Sequence, residues 1–177
     1  PEFLYNKEIT IKISGCMNAC GQHSLAQIGF HGSSIKSGSH ILPALQLLLG
    51  GGVVGDGKGR FSDKILKFPS KRSSNVLRSI LNDYEDNAKQ EEIFNQYYDR
   101  KGKDYFYQLL KKYSDVNVTL PEEFVDWGQT EKFQTAIGVG ECAGVMIDLV
   151  QTLFFEAEEK LQQAEETYLN QNYGDAI

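Results

Sequence analysis

The segment that most constrains the fold is residues 8–32, where two cysteines lie between two predicted strands. Upstream, "EITIKIS" (8–14) alternates Ile9, Ile11 and Ile13 with polar residues, the period-2 pattern of a strand with one buried face. Downstream, "IGFHGSS" predicts a second strand that ends in a turn marked by glycines. The cysteine pair is therefore expected on a turn and short helical segment between two strands.

The chain up to residue 113 continues with alternating strand and helix patterns. The predicted elements are a strand at 44–52, a loop at 55–60, a strand at 64–68 that stops at Pro69, a helix from an N-cap at Ser73 or Ser74 to about residue 87, and a helical block at 91–113 interrupted near Gly102. The last block is rich in aromatic residues, which we interpret as core packing. This succession predicts an α+β fold.

The remaining third of the chain changes character twice. Residues 114–145 have weak periodicity and predict an irregular connector, and residues 146–177 predict a helical appendage. The predicted helix of the appendage has an apolar seam on one side and acidic residues on the opposite side. The seam residues are Val150, Phe154, Ala157, Leu161, Ala164 and Tyr168. This amphipathic helix needs a partner, and self-association through it is one possibility.

Composition excludes several classes of function. The chain has 18 basic and 24 acidic residues and a net charge of -6, so binding to nucleic acid is not expected. No apolar run is long enough to span a membrane, and residues 1–15 lack the pattern of a secretory signal. Three cysteines, an odd number, favour a reducing compartment, and we predict a cytoplasmic protein.

The residues alone leave the role of Cys16 and Cys20 open. Thiolates favour iron–sulfur clusters, zinc or copper(I), but two of them do not complete a zinc site or a four-iron cluster. The third cysteine is Cys142, and the histidines at 23, 31 and 40 lack the paired spacing of a zinc motif. Two partly buried cysteines without a metal on a strand-to-helix turn are the simpler interpretation.

A family resemblance gives the pair a more specific meaning. The stretch "ISGCMNACGQHSLAQIGFHG" resembles the Gly-Cys-x-Asn-x-Cys-Gly segment of the sirohaem- and [4Fe-4S]-dependent sulfite and nitrite reductases. Downstream, "LQLLLGGGVVGDGKGR" resembles the Leu-Gly-Gly strand and glycine loop of that family, and the similarity continues to about residue 113. The resemblance implies that residues 1–113 are the C-terminal part of a reductase module, a mixed sheet with helices.

The resemblance also implies roles for individual residues. Cys16 would be a ligand of a [4Fe-4S] cluster, and Cys20 would be a ligand shared by the cluster and the haem iron of sirohaem. Asn18 and Gln22 would lie close enough to bind the cofactor. The parent enzyme would reduce sulfite to sulfide, or nitrite to ammonia, with six electrons from a ferredoxin or a flavoprotein.

Departures from the family pattern limit what this stretch is expected to do alone. Met17 stands where the family usually has proline, and the upstream Cys-x5-Cys pair is absent. The segments that bind the substrate anion and the sirohaem side chains are absent as well. We therefore expect the stretch to be an incomplete, inactive part of a longer reductase, without a stoichiometric cluster of its own.

Several alternatives remain at this level. Asn18 is also a residue that tolerates unusual turn dihedrals, and Gly50, Gly51 and Gly52 either approach a cofactor or mark a tight turn. A basic cluster, Lys64, Lys67, Lys71 and Arg72, is either a docking site for an electron donor or a solvated edge. The C-terminal helix also resembles the start of the HEPN-type helical domains. The competing function is a noncatalytic α+β interaction module that recruits a partner through this helix.

Overall fold

A computed structural model describes residues 9–55 and 57–134, together with 157–158, 160–162 and 164. The chain divides into two compact units, 1–135 and 136–177. The described residues of the second unit are helical, in agreement with the helix predicted there. Its seam residues Val150, Phe154 and Tyr168 lie outside the described residues, as does Cys142.

A four-stranded mixed sheet forms the centre of the first unit. Its strands are β1 (Ile11–Ser14), β2 (Ile28–Ser37), β3 (His40–Leu49) and β6 (Asp63–Pro69), in the order β1-β2-β3-β6. β1 pairs with β2 in parallel, and the other neighbours are antiparallel. A short hairpin of β4 (Gly52–Gly55) and β5 (Lys58–Arg60) makes a separate two-stranded sheet.

Three helices follow the sheet and supply much of the core. They are α1 (Ser73–Asn87), α2 (Phe94–Lys101) and α3 (Lys103–Leu110), accompanied by 3₁₀ turns at His23–Leu25, Ser70–Arg72, Lys111–Tyr113 and Pro121–Phe124. Gly102 separates α2 from α3 with a φ of 82°, a backbone conformation that favours glycine. The α+β class, the mixed sheet and the break near Gly102 are confirmed.

The core forms where one face of the sheet meets aromatic side chains of the helices. The strand pairs Ile28 with Leu49 and Phe30 with Leu47 put these residues on one face, and all four are buried. From the helices, the predicted aromatic residues Phe94, Tyr97, Tyr98 and Phe106 are buried in the same cluster. Edge-to-face contacts such as Tyr97–Phe106, 5.9 Å between ring centres, confirm core packing as the role of this stripe.

Some local predictions about the strands are wrong. β2 continues past Gly32 and turns only at 38–39, β3 begins at His40 rather than at 44, and the predicted loop at 55–60 contains β5. The predicted isoleucine face is buried only in part: Ile9 packs against the core, whereas Ile13 is 63% exposed and the neighbouring Ser14 is buried. β1 is an edge strand, and its buried face is polar because Ser14 makes hydrogen bonds there.

The N-cap predicted for the first helix is also wrong. α1 continues from the 3₁₀ turn Ser70–Arg72, so Arg72 stands at the N-cap and makes no side-chain capping bond. The Arg72 guanidinium instead donates to the carboxylate of Glu123 and to the carbonyl oxygens of Tyr113, Asp115 and Val118. These bonds hold residues 113–123 to α1 within the first unit; the predicted domain boundaries at 113 and 145 stay predictions.

Candidate functional site

The cysteine pair lies on the loop that joins β1 to the 3₁₀ turn His23–Leu25. We define the cysteine loop as residues 15–22. Cys16 and Cys20 are both exposed and unpaired by any disulfide, and Met17 and Asn18 between them are exposed as well. The loop thus presents two free thiols to the surface.

The backbone of the cysteine loop is held much more closely than its side chains. A Cβ on Gly32 of β2 would collide with the carbonyl oxygen of Gly15, and one on Gly21 would collide with that of Ile13. Gly29 makes the same kind of approach to the carbonyl oxygen of His23. Glycine within a strand often marks such a close approach of another backbone, and here it brings both ends of the loop onto the sheet.

A tight turn shapes the cysteine loop around Cys20. The amide of Gln22 donates to the carbonyl oxygen of Ala19 at 2.7 Å. Ala19 and Gln22 have positive φ values of 61° and 56°, which are unusual for residues with a side chain and recur at functional sites. Asn18 has no positive φ in this loop, so the explanation of Asn18 as the residue with unusual turn dihedrals is wrong.

Buried polar residues support the loop from below. The hydroxyl of Ser14 accepts the amide hydrogen of Gly21 at 3.1 Å, and its oxygen lies 2.8 Å from Nδ1 of His23. The rings of His23 and His31 are 4.8 Å apart at their centres, and Nδ1 of His31 donates to the carbonyl oxygen of Gly32 at 2.9 Å. All three polar residues, Ser14, His23 and His31, are buried.

His23 and Lys12 set the charge around the loop. Burial lowers the pKa of His23 below its ordinary value, and the nearby His31 and Lys64 lower this pKa further. The ammonium of Lys12 donates a hydrogen bond to Oε1 of Gln22 at 2.7 Å, which holds one positive charge beside the loop. A positive charge at this place favours an anionic group bound close to it.

The described residues supply two thiol ligands and no more. No group of three or more histidine, cysteine or acidic side chains able to hold a metal ion occurs among them. The donor set of Cys16 and Cys20 therefore fits half of a four-thiolate iron–sulfur site. Two further ligands are needed to complete such a site.

The predicted glycines at 50 and 51 have a structural role. The ring of Tyr98 packs directly against Gly50, and a Cβ on Gly51 would lie 2.8 Å from the carbonyl oxygens of Ala26 and Ser24. Gly50 and Gly51 thus allow close packing within the protein. Asn95 adds to this by donating to the carbonyl oxygen of Gly51 at 3.0 Å.

The predicted basic cluster divides into two parts. Arg72 is occupied by Glu123, and the ammonium of Lys71 lies over the ring of Trp127, 4.4 Å from its centre. Lys64 and Lys67 on β6 are exposed. Only these two lysines of the four remain available as a docking patch.

Sequence reasoning missed the residues that position the loop, namely Ser14, Gly29, Gly32 and His31. The sequence predicts a strand and turn at Gly29 and Gly32, and the signal of their close contacts is their place inside an otherwise β-prone run. Ser14 carried no signal, because a serine at the end of a strand is common.

Comparisons with known proteins were made for the whole chain. No family model and no curated protein matches it. Among solved structures, the NirA protein of Mycobacterium tuberculosis aligns with 55% of this chain, at 26% identity and a TM-score of 0.49. The aligned part is 18% of that protein. Within the described residues, no helix has the length and apolar character needed to cross a membrane.

Proposed function

We propose that Cys16 and Cys20 supply two of the four thiolates of a [4Fe-4S] cluster in a sirohaem-dependent reductase of sulfite or nitrite. The observation that carries this proposal is the arrangement of the cysteine loop, in which two exposed thiols stand on a tightly anchored backbone. A metal centre requires ligands held in place before the metal binds, and the glycine contacts at both ends of the loop meet that requirement.

The chemistry of the loop agrees with this assignment. Thiolates are the usual ligands of iron–sulfur clusters, and the ammonium of Lys12 beside Gln22 offsets part of the negative charge of such a group. When bound, the cluster stores and passes single electrons, and sirohaem supplies the iron at which the anion is reduced. This chain contributes the two thiols, the anchored backbone of the loop and the positive charge of Lys12.

The role of each candidate follows from its place in the loop. Cys16 would be a ligand of the cluster only, and Cys20 would be a ligand of both the cluster and the haem iron. Asn18 is exposed beside both cysteines and is free to donate to a cofactor carboxylate. Gln22 already accepts from Lys12 through Oε1, so it would use its amide nitrogen toward the cofactor.

The proposal is tested on the longest natural protein that contains this chain, purified without oxygen. We expect iron, acid-labile sulfide and sirohaem absorption bands in the wild type, with loss of cluster iron in Cys16→Ser and Cys20→Ser. Cys142→Ser is the matched control and should leave the iron content unchanged. Cys20→Ser should also uncouple haem from cluster. Wild-type protein without sulfide or sirohaem bands, or full activity of Cys20→Ser, would refute the proposal.

The 177-residue chain by itself provides a second test. With two thiol ligands among its described residues, we expect less than one cluster per chain after anaerobic reconstitution with iron and sulfide. About four irons and four sulfides per chain would show that this chain completes a cluster without help.

An electron donor would reach this module through a charged contact. Lys64 and Lys67 on β6 are exposed, and Lys64 lies close enough to His23 to affect its pKa. We propose this edge as the docking side for an acidic ferredoxin or flavoprotein. Lys64→Glu with Lys67→Glu should slow reduction by such a donor and weaken its salt dependence, while reduction by a small uncharged donor stays unchanged.

A noncatalytic interaction module is the second candidate. Four apolar side chains, those of Ile13, Met17, Val53 and Phe61, are each more than half exposed and would be available for contact with another protein. Two measurements distinguish these functions. An interaction module still binds its partner after Cys16→Ser and Cys20→Ser, and it contains no sirohaem.

A further inference from the structure

We propose that Ser14 and His23 are positioning residues for Cys20, which they serve by keeping the amide of Gly21 away from the cysteine sulfur. This inference deepens the proposed function. Its prediction about the reduction potential rests on that function, because it needs a bound cluster, whereas its predictions about cysteine alkylation do not. Its structural part concerns hydrogen bonds of the chain alone. Neither residue touches a cofactor in this proposal.

Two hydrogen-bond contacts hold the hydroxyl of Ser14 in place. The Ser14 oxygen takes the amide hydrogen of Gly21 at 3.1 Å and lies 2.8 Å from Nδ1 of His23. Ser14 and His23 are 5% and 3% exposed, so water does not compete effectively for these bonds. The hydroxyl is therefore fixed between one backbone amide and one imidazole.

The Gly21 bond has a fixed direction, and we assign the His23 bond from it. Gly21 N–H donates to Ser14, so the hydroxyl hydrogen of Ser14 is free to donate to Nδ1 of a neutral His23. The ring of His31 packs 4.8 Å away, and its own Nδ1 is used by the carbonyl oxygen of Gly32. His23 thus has a fixed orientation, and it orients Ser14 in turn.

The two backbone amides that follow Cys20 in the chain both donate to acceptors other than its sulfur. Gly21 donates to Ser14, and Gln22 donates to the carbonyl oxygen of Ala19 at 2.7 Å. The amides that follow Cys16 differ, because in the described part of the chain those of Met17 and Asn18 have no acceptor. The two cysteines of one loop therefore differ in their access to backbone donors.

This difference has a chemical consequence. Hydrogen bonds to cluster sulfurs raise the reduction potential and use sulfur lone pairs. In this proposal the unbonded amides of Met17 and Asn18 supply such bonds to Cys16. Cys20 is kept without them, so its lone pairs stay available for a second metal ion. Ser14 and His23 are the residues that maintain this condition.

Alkylation of single cysteines tests the inference on the full chain without a cofactor. In a Cys16→Ser, Cys142→Ser background, Ser14→Ala should speed the reaction of Cys20 with iodoacetamide by about three- to tenfold, the range expected from one hydrogen bond. The freed Gly21 amide then stabilises the attacking sulfur. In a Cys20→Ser, Cys142→Ser background, Ser14→Ala should leave the rate of Cys16 unchanged.

Histidine variants separate positioning from simple loosening of the fold. His23→Leu removes the partner of Ser14 and should speed alkylation of Cys20 as Ser14→Ala does. His23→Asn keeps a polar atom close to the position of Nδ1 and should stay near the wild-type rate. Ser34→Ala on the exposed part of β2 is the control serine. If Ser14→Ala does not fold, the two His23 variants decide the question.

Two results would overturn the inference. One is a Cys20 rate that stays unchanged in folded Ser14→Ala and His23→Leu; the other is an equal increase at Cys16. In the cluster-loaded protein, Ser14→Ala should raise the reduction potential of the cluster. A protein that shows the alkylation effect but binds no cluster would refute the proposed function and leave the positioning role intact.

Discussion

The helix-covered face of the sheet and the cysteine loop are held by opposite means. On the helix side, apolar side chains such as Phe68, Tyr97 and Phe106 are fully buried, and their removal from water stabilises the fold. In the cysteine loop most side chains are exposed, whereas the backbone is anchored by glycine contacts and by Ser14. The helix-covered core supplies much of the stability of the fold, and the cysteine loop keeps two thiols accessible.

This difference predicts that the two regions respond separately to mutation. A change in the helical core should lower the free energy of unfolding without altering the thiols below the unfolding transition. A change in the glycine anchors should alter the thiols at a smaller cost in stability. The following substitutions test this separation, from the largest expected effect on stability to the smallest.

Truncation of Phe106 should cause the largest loss. Its ring is fully buried among Phe94, Tyr97 and Tyr98, and Phe→Ala at such a site costs about 3–5 kcal/mol. Urea unfolding measures the loss. The neighbouring Tyr107 is 44% exposed, so Tyr107→Ala should cost much less. An equal cost for both would contradict the core described above.

Replacement of Arg72 should have the next largest effect. Arg72→Met removes the contacts to residues 113–123 and leaves the buried Glu123 without its cation, a loss of about 2–4 kcal/mol. The exposed Lys36 offers the control Lys36→Met, which should be nearly neutral. Thermal unfolding distinguishes the two.

The Arg72 variant also has a predictable pH dependence. The hydrogen bonds from Arg72 lower the pKa of Glu123 below its ordinary value. A depressed carboxyl pKa stabilises the fold above the unfolded value, and this contribution is lost as the pH falls through the folded pKa. The gap in stability between wild type and Arg72→Met should therefore narrow on acidification below about pH 4.5. A gap that stays constant would show that Glu123 is not the partner responsible.

Gly32→Ala should cost less in stability but change the cysteine loop. The new Cβ collides with the carbonyl oxygen of Gly15, so the backbone must move, at about 1–3 kcal/mol. Alkylation of Cys16, next to Gly15, should change in rate. Gly15→Ala places its Cβ in open space and is the control. If both variants alkylate like the wild type, the glycine contact does not position the thiols.

The same two regions explain how far sequence reasoning reached. Helical spacing of Val76, Ile80 and Tyr84 predicted α1, and the aromatic stripe predicted the core, because burial of side chains leaves a period in the sequence. The isoleucines of β1 had the period of a buried face but lie on an exposed one. Period alone does not say which face of a strand is covered.

The candidate site was predictable in its reactive groups and not in its supports. Cys16 and Cys20 stand out by residue type and spacing. Their anchors are backbone contacts at Gly21, Gly29 and Gly32 and a hydrogen bond through Ser14, and these depend on the approach of segments distant in the chain. Such contacts leave no periodic pattern, so a structure was needed to find them.

The most direct test of the central claim is an anomalous difference map at the iron absorption edge, recorded from anaerobic crystals of the natural protein that contains this chain. The claim predicts iron density within bonding distance of the sulfur atoms of both Cys16 and Cys20, and no iron at Cys142. Two free thiols without iron density, or iron bound elsewhere in the protein, would contradict it.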